Sequence, residues 1–383
     1  MEENMSTRRI LTLFTALLLS AACLLPAPAL GEMRDLSSIE FVHQMGVGWN
    51  LGNTLEATGG RLASIAAYEQ SWGNPLTSRE MIKKIASLGF RSMRLPVAWS
   101  NLMAEDFTIH EDLMNRVEEV ANYALDLDMT VVINIHWDGG WYARFHDDFD
   151  WAMAKYEAIW NQVAARFQDY SDKVVFESFN EVGWPKIFNH YAGPAGVTES
   201  AKPAFDLLNQ INQRFVDLVR ASGGNNQKRF LLIAGYNTDI ELTCHPYFQM
   251  PQDPENRLMI SVHYYHPWDF VGLKEDASYA PLRTTWGTPQ DMKDLQHFLR
   301  MMKSFTDRGI GVVLGEYSVC DGIELKQPFS IRLWDTTVTK TAVQFGYCPM
   351  FWDNGHLLLN RHDLVFFDEE LASQLAQIAG KFQ

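Results

Sequence analysis

The fold of this chain is decided by two stretches, Val174-Val175-Phe176-Glu177-Ser178-Phe179-Asn180-Glu181 and Gly311-Val312-Val313-Leu314-Gly315-Glu316. Each is a run of strand-forming residues that is apolar at first and ends in a glutamate. Strands of a parallel sheet have this apolar composition when helices cover both faces of the sheet, because neither face meets water. Since the carboxyl ends of parallel strands meet at one edge of the sheet, the two runs predict that Glu181 and Glu316 face one cleft.

Eight strand-like runs alternate with helix-like segments along the whole chain. The runs lie at 47–53, 90–97, 130–137, 174–181, 229–235, 258–265, 311–316 and 347–352. Alternation implies a parallel sheet, and eight repeats favour a closed barrel. An open doubly wound sheet would usually carry a glycine-rich phosphate turn after its first strand, and none occurs there. The sequence therefore predicts the α/β class and a single (β/α)8 TIM barrel, with its active site at the C-terminal ends of the strands.

The N-terminal residues have the pattern of a targeting segment. Arg8 and Arg9 precede an apolar run over 10–25, and small residues and prolines follow over 26–29. This pattern predicts a signal peptide over 1–29, a catalytic domain over 30–383, and a secreted or periplasmic protein with no membrane association after cleavage. A lipoprotein anchored through Cys23 is the less favoured alternative, and the paired arginines also leave a twin-arginine signal open.

Composition narrows the possible partners. The net charge of −15 is spread along the chain, which argues against a nucleic-acid partner because such a partner needs a basic face. The 12 Trp, 13 Tyr and 23 Phe residues suit either a sugar-stacking surface or a large core. Cys244, Cys320 and Cys348 allow at most one internal disulfide. With no ligand cluster at metal-site spacing, we predict no metal and no cofactor, and we expect a monomer.

Polar or aromatic side chains recur at the predicted C-terminal ends of nearly all the strands. They are Asn50, Arg94, His136, Asn180, Glu181, His263, Tyr265, Glu316 and Trp352. Any one of them alone has an ordinary structural explanation, such as a surface charge or a packed aromatic ring. A purely structural barrel does not need all of them together, because apolar side chains alone can fill the top of a barrel. Their joint occurrence therefore predicts an active site.

A pair of carboxyl groups is what the hydrolysis of a glycosidic bond needs. One group must donate a proton to the leaving oxygen while the other, ionised, attacks the anomeric carbon. We assign the nucleophile to Glu316, held ionised by the charge of Arg94 and a hydrogen bond from Tyr265. Glu181 is then the general acid/base, which we expect to be kept protonated by partial burial and by the charge of Glu316.

The remaining polar residues of the set have supporting roles in this scheme. Asn180 directly precedes the acid/base and could reach the sugar 2-hydroxyl, a contact that strengthens in the transition state. His136 and His263 would orient the catalytic groups.

Taken together, these motifs resemble glycoside hydrolase family 5. The resemblance rests on Gly48-Trp49-Asn50-Leu51-Gly52-Asn53, Arg94-Leu95-Pro96, Asn134-Ile135-His136, Phe179-Asn180-Glu181, His263-Tyr264-Tyr265, Gly315-Glu316-Tyr317 and Phe351-Trp352-Asp353-Asn354-Gly355. It implies a retaining β-1,4-glycanase with the same acid/base, nucleophile and supporting residues, and sugar stacking on Trp352. It also implies a non-proline cis peptide after Trp352. The stretch Trp72-Gly73-Asn74-Pro75 resembles the endoglucanase and xyloglucanase branch.

The expected substrate contacts and substrate class follow from that resemblance. We expect Asn50, Trp72, Trp137 and Trp352 to bind substrate. Trp137 stands where many members have a histidine and Val182 where many have a proline, so we expect altered subsites more than lost catalysis. The predicted function is an exported retaining endo-β-1,4-glucanase acting on cellulose, mixed-linkage glucan or xyloglucan. A β-mannanase or glucomannanase with the same chemistry, and a non-catalytic glycan-binding barrel, remain as alternatives.

Overall fold

Eight parallel strands close into a barrel in chain order, with the last strand pairing back to the first, in a computed structural model that describes residues 31–381. The strands are β1 Gly48–Leu51, β2 Ser92–Leu95, β3 Thr130–Asn134, β4 Val174–Glu177, β5 Leu231–Ala234, β6 Leu258–His263, β7 Gly311–Tyr317 and β8 Cys348–Asp353. The predicted (β/α)8 barrel is confirmed. The predicted signal peptide at 1–29 lies outside the described residues.

Helices surround the barrel, and a short hairpin follows it. The helices are α1 Ser38–Met45, α2 Ile65–Glu69, α3 Arg79–Ala86, α4 Glu111–Leu125, α5 Arg144–Asp147, α6 Phe149–Arg166, α7 Lys202–Ala221, α8 Ile240–Thr243, α9 Trp268–Val271, α10 Pro289–Met301, α11 Lys303–Thr306, α12 Pro328–Gln344 and α13 Glu369–Lys381. Strands β9 Leu359–Asn360 and β10 Val365–Phe366 pair antiparallel between β8 and α13. Within residues 31–381, no helix is both long and apolar enough to cross a membrane.

The N-terminal end of the barrel is closed by α1. Phe41, Val42 and Met45 on one face of this helix pack against inward-facing strand residues such as Val175. The ring of Phe41 stacks on Phe230, with centroids 4.0 Å apart. This end is therefore filled with apolar side chains, and the polar residues of the barrel interior lie toward the opposite end.

Several predicted boundaries differ from the structure by a few residues. Thr77 with Glu80 three residues on has the sequence pattern of a capping box. Helix α3 nevertheless begins after the N-cap Ser78, whose hydroxyl accepts from the Met81 amide at 3.2 Å, so Thr77 is not the cap. The Thr77 amide instead donates to the buried carboxylate of Glu69 at 2.6 Å. Strand β4 ends at Glu177, so Glu181 lies in the loop beyond the strand.

The pairing of the cysteines, which the sequence leaves open, is settled by the fold. Cys244, Cys320 and Cys348 are all free thiols. Cys348 is buried inside the barrel, where its sulfur lies 3.5 Å from the hydroxyl of Ser92. We therefore expect no disulfide among them.

Candidate active site

A β-bulge turns Glu316 into the barrel. Val313 packs in the barrel interior and Leu314 in the outer core, so strict alternation would put Gly315 inside and Glu316 outside. The register between β6 and β7 shifts at this point, where Val262 pairs with Leu314 but the next residue of β6 pairs with Glu316. Since one extra residue reverses the side on which the following side chain points, Glu316 joins Gly315 in facing inward.

Arg94 occupies the centre of the C-terminal end of the barrel. It is fully buried on β2, and its guanidinium donates to four side chains. They are Glu177 at 2.6 Å, Asn50 at 3.0 Å, Glu316 at 2.6 Å and Asn180 at 2.7 Å. Burial opposes the charge of Arg94, but attraction to Glu177 and Glu316 outweighs burial and raises its pKa. The arginine therefore stays charged and links β2 to strands β1, β4 and β7.

Glu177 is a third carboxylate of the site, and sequence reasoning missed it. It is the last residue of β4 and is completely buried. Besides the bond from Arg94, its carboxylate accepts from Asn134 at 3.0 Å and from the Ser261 hydroxyl at 2.7 Å. Its position within an apolar run could have revealed it from the sequence, because a carboxylate in a strand that is buried on both sides requires a buried partner.

The two predicted catalytic glutamates lie side by side and have different neighbours. A carboxylate oxygen of Glu181, one of Glu316 and a ring nitrogen of His263 all lie within 4.8 Å of one another. His263 Nδ1 is 2.8 Å from Glu181 Oε1 and 3.6 Å from Glu316 Oε2. The Tyr265 hydroxyl donates to Glu316 Oε2 at 3.0 Å. The structure thus brings the predicted pair into one cleft, with Tyr265 and Arg94 both bound to Glu316.

The pKa shifts of the two glutamates in the free site run opposite to the expected ones. Burial raises the pKa of Glu181, but its hydrogen bond to His263 and the charges of His263 and Arg94 outweigh burial, so this pKa is lowered. The pKa of Glu316 is raised by burial and by the charge of Glu181, against the opposing charges of His263 and Arg94. The expected direction of the two pKa shifts, up for Glu181 and down for Glu316, is therefore not met in the free site, where Glu181 contacts His263 directly.

His136 and Trp352 form one wall of the cleft. Their rings are almost parallel, with centroids 5.7 Å apart and an interplanar angle of 4°. Burial and the nearby charges of Arg94 and His263 lower the pKa of His136 well below its ordinary value, so this histidine is neutral. Gly52 lies against the indole, since a Cβ there would come within 2.8 Å of the Trp352 ring. The peptide bond after Trp352 is trans, in contrast to the cis bond that the resemblance implies.

The two predicted asparagines have different positions. Asn50 is fully buried, and its amide nitrogen donates to the carbonyls of Gly315 at 2.8 Å and Met350 at 3.1 Å. Its oxygen also accepts from Arg94, so both polar groups of Asn50 are bonded to the protein in the free site, and its role in substrate binding stays a prediction. Asn180 gives only its oxygen to Arg94, which leaves its amide nitrogen to donate to a sugar hydroxyl.

Trp137 lines a pocket beside Glu181. The pocket has a volume of about 240 Å³, and its lining is completed by His136, Tyr142 and Asn180. Trp137 is 49% exposed, and its indole lies 3.4 Å from where a Cβ at Gly140 would stand. The glycine turn after β3 therefore holds a large aromatic face open to solvent next to the expected acid/base.

Trp72 lies at the rim rather than in this pocket. It is 39% exposed, and its indole nitrogen donates to the carbonyl of Thr58 at 2.8 Å. The loop that carries it is joined to the loop after β8, because the Asn74 amide donates to the carbonyl of Asn354 at 3.0 Å. Trp72 is thus tied to the same side of the barrel as Trp352.

The chemistry open to this arrangement is acid/base and nucleophilic. Glu181, His263 and Glu316 offer three ligand atoms close enough for a metal ion, but each of these side chains already has a hydrogen-bonding partner in the site. Two carboxylates at this separation, beside a buried arginine and below exposed indoles, can cleave a glycosidic bond by attack and protonation. The fold and site define a (β/α)8 barrel glycoside hydrolase with two adjacent carboxylates, those of Glu181 and Glu316, in its cleft.

The comparison with known proteins agrees with this class. The family model for cellulase, glycosyl hydrolase family 5, matches residues 55–356, so the chain belongs to that family and is a glycoside hydrolase of the cellulase type. Endoglucanase A of Paenibacillus barcinonensis is 36% identical over 352 residues, covering 85% of this chain and 84% of that protein. The xyloglucan-specific endo-β-1,4-glucanase of Bacteroides ovatus is 34% identical, covering 86% of this chain and 67% of that protein.

A solved structure extends the likeness to the fold. A broad-specificity endoglucanase from an uncultured bovine rumen ciliate, of subfamily 4 of the same family, superposes with a TM-score of 0.81. The two sequences are 32% identical, and the match covers 90% of this chain and 99% of that one.

Proposed function

We propose that this cellulase-type glycoside hydrolase cleaves internal β-1,4 bonds of β-glucans with retention of anomeric configuration. The observation that carries the proposal is the carboxylate pair, with oxygens of Glu181 and Glu316 within 4.8 Å of each other. Retaining enzymes need carboxyl groups about 5–5.5 Å apart, whereas inverting enzymes need about 6.5–9.5 Å to admit a water molecule. The spacing leaves no room for that water and favours a double displacement.

In the first step, Glu316 attacks the anomeric carbon and Glu181 protonates the leaving oxygen. The bond between the anomeric carbon and the Glu316 oxygen forms as the glycosidic bond breaks, and the proton of Glu181 leaves with the released sugar hydroxyl. Arg94 and Tyr265 hold Glu316 in place for the attack, and the free amide nitrogen of Asn180 is available to the sugar 2-hydroxyl.

In the second step, Glu181 takes a proton from a water molecule whose oxygen attacks the anomeric carbon. The bond from the sugar to Glu316 breaks, and Glu316 leaves as a carboxylate with its electron pair restored. Glu181 is protonated again and ready for the next cycle. Its exposure suits this double role, since its side chain is 43% exposed while that of Glu316 is only 6% exposed.

Binding of the sugar chain should raise the pKa of Glu181, which is lowered in the free site. Glu181 is partly exposed, so a sugar over it removes water from its carboxyl and favours the neutral form. The nearby negative charge of Glu316 also favours the neutral form of Glu181. We propose that the filled cleft holds its proton on Glu181.

The substrate class is proposed from the relatives and the aromatic surfaces. Endoglucanases and a xyloglucanase stand among the relatives, and the half-exposed Trp137 and Trp72 offer flat faces for sugar rings. We propose cellulose-type, mixed-linkage or xyloglucan chains as substrates, with β-mannan as the alternative. Initial rates on carboxymethylcellulose, barley glucan, xyloglucan, glucomannan and mannan test the choice, and a preference for mannan would contradict a β-glucanase.

The catalytic roles are tested by azide rescue of two variants on an aryl β-cellobioside with a good leaving group. Azide should restore turnover of Glu316→Ala with an α-glycosyl azide as product, because azide then attacks from the vacant nucleophile's side. Azide should restore turnover of Glu181→Ala with a β-glycosyl azide, because it attacks the glycosyl-enzyme in place of water. Glu80→Gln on the exposed face of α3 is the matched control. Exchanged products would reverse the roles.

We also propose that the chain is exported, on the strength of the arginine pair and apolar run over 8–25. The test is expression of the full chain in a bacterial host, followed by fractionation and by mass measurement of the mature protein. Loss of about 29 residues and release in soluble form support a cleaved secretory signal. Membrane retention that is abolished by Cys23→Ala would instead indicate the lipoprotein alternative.

A further inference from the structure

The carboxylate of Glu177 lies beneath the proposed nucleophile and shares its arginine. Glu177 accepts from Arg94 Nε and Glu316 accepts from Arg94 Nη1, each at 2.6 Å. The side chains of Glu177 and Arg94 have no exposed surface, and that of Glu316 is 6% exposed. One buried cation is thus shared by two buried anions, only one of which can reach a sugar.

We propose that Glu177 is a positioning residue that acts on Glu316 through Arg94, using its charge to keep the guanidinium from binding the nucleophile too tightly. The inference rests on the proposed role of Glu316. A carboxylate that is the sole anionic partner of a buried arginine gives up its electron pair less readily, because its charge is more strongly stabilised. With Glu177 in place, the arginine orients the nucleophile while its charge is already largely balanced.

The charge of Glu177 also matters for the sugar above it. The transition state of glycoside hydrolysis resembles an oxocarbenium ion, so positive charge develops at the anomeric carbon. An unbalanced guanidinium below that carbon would repel the developing charge, and in a buried site this repulsion is poorly screened. Glu177 therefore favours the glycosylation step in two ways. It makes Glu316 a better nucleophile, and it lowers the positive charge beneath the anomeric carbon.

The hydrogen bonds of Glu177 allow its charge to be removed with little change of geometry. One oxygen accepts from Arg94 Nε and from the Asn134 amide, and the other accepts from the Ser261 hydroxyl. In Glu177→Gln, the amide oxygen can keep the first two bonds, and the amide nitrogen can donate to the Ser261 oxygen after its hydroxyl rotates. This variant separates the charge of Glu177 from its packing.

The charged and titratable groups that face Glu316 come from five strands and the loops after them. They are Arg94 from β2, His136 after β3, Glu177 and Glu181 from β4 and its loop, His263 and Tyr265 from β6 and its loop, and Cys320 after β7. All of them are unchanged in Glu177→Gln except Glu177 itself. A change in the titration of Glu316 in that variant is therefore assigned to the charge of Glu177.

The test compares pH profiles and transient kinetics of wild type and Glu177→Gln on an aryl β-cellobioside with a good leaving group. We expect the acid limb of kcat/KM, which reports ionisation of the nucleophile, to move down by about one pH unit. The burst that reports glycosylation should slow by about tenfold or more, the loss that corresponds to one pH unit. KM should change little, because Glu177 does not contact substrate.

Two further variants separate charge from structure. Ser261→Ala removes one hydrogen bond of Glu177 but keeps its charge, so its acid limb should match wild type. Glu177→Asp keeps the charge but draws it away from Arg94, so its acid limb should move in the same direction as that of Glu177→Gln by a smaller amount. If Glu177→Gln fails to fold, the shift of Glu177→Asp relative to Ser261→Ala decides the question.

An unmoved acid limb with a normal burst in a folded Glu177→Gln protein would overturn the inference. The inference would also be overturned if Glu177→Gln lowered only the Tm and the fraction of active enzyme, because a purely structural role predicts those two changes and no others. The azide experiments on Glu181 and Glu316 report independently of Glu177. Failure of the proposed function would appear there, whereas correct azide products together with a wild-type profile for Glu177→Gln would overturn this inference alone.

Discussion

Glu56 gives the sharpest prediction about pH and stability. It follows β1, is 1% exposed, and its carboxylate accepts from the backbone amides of Asn53 and Thr54. Burial raises the pKa of Glu56 from its ordinary value of 4.5 to about 7, even though these amides and the charge of Arg361 favour the ionised form. The folded protein therefore binds a proton at Glu56 more tightly than the unfolded chain does.

The sign and size of the effect follow from that difference. Because the pKa of Glu56 is higher in the folded state, its contribution to stability is fully present below pH 4.5 and is lost as the pH rises through 7. The full difference corresponds to about 3 kcal/mol in the free energy of unfolding. Most of this is lost between pH 5 and pH 8. Glu56→Gln, which cannot ionise, should lack this loss.

The assay is urea unfolding of wild type and Glu56→Gln at pH 5 and pH 8. The quantity compared is the change in unfolding free energy between the two pH values, because other raised carboxyls, such as Asp138 with a pKa of about 6, contribute equally to both proteins. The wild type should lose about 2–3 kcal/mol more than the variant. Glu80→Gln, at an exposed position on α3, should behave as wild type. Equal losses in wild type and Glu56→Gln would refute the reasoning.

Three other outcomes are expected. Trp352→Ala should raise KM for soluble β-glucan by about tenfold or more through lost stacking, as measured by initial rates, and an unchanged KM would remove Trp352 from the substrate site. Phe230→Ala, which removes the ring stacked on Phe41, should lower the unfolding free energy by about 3–5 kcal/mol in urea titrations and leave KM unchanged. Addition of a reducing agent should leave Tm unchanged, because the three described cysteines are free thiols, and a fall in Tm would indicate a disulfide.

The barrel could be predicted from the sequence because its signals are local and repeated. Each strand lies between helices and reads as a short apolar run, and short-range composition is enough to place all eight. The ends of elements were less accurate. Strand β4 was extended to Glu181 because Ser178 and Phe179 continue a strand-like run, and nothing local marks the last residue that pairs with β3.

The outer part of the site could also be predicted, but its interior could not. Arg94, Tyr265 and Glu316 come together as expected, because strand ends gather at one face of the barrel. The inward turn of Glu316 depends on the bulge at Gly315, which is a property of the pairing between β6 and β7 rather than of either strand alone. Contacts made across the barrel, such as that of His263 with Glu181, have no signature in either segment.

The charges at the centre of the barrel explain why so many residues around the two proposed catalytic glutamates are themselves buried and polar. Three carboxylates, Glu177, Glu181 and Glu316, lie around a single buried arginine, so the site carries excess negative charge unless it holds protons. That excess favours a positive transition state above it and keeps a proton available among the carboxyls. An isolated pair of glutamates in an apolar barrel would instead neutralise itself by taking up protons, and would lose its nucleophile. The polar interior of this barrel therefore supports the roles proposed for Glu181 and Glu316, because it allows one carboxylate to stay ionised while a second carries the proton.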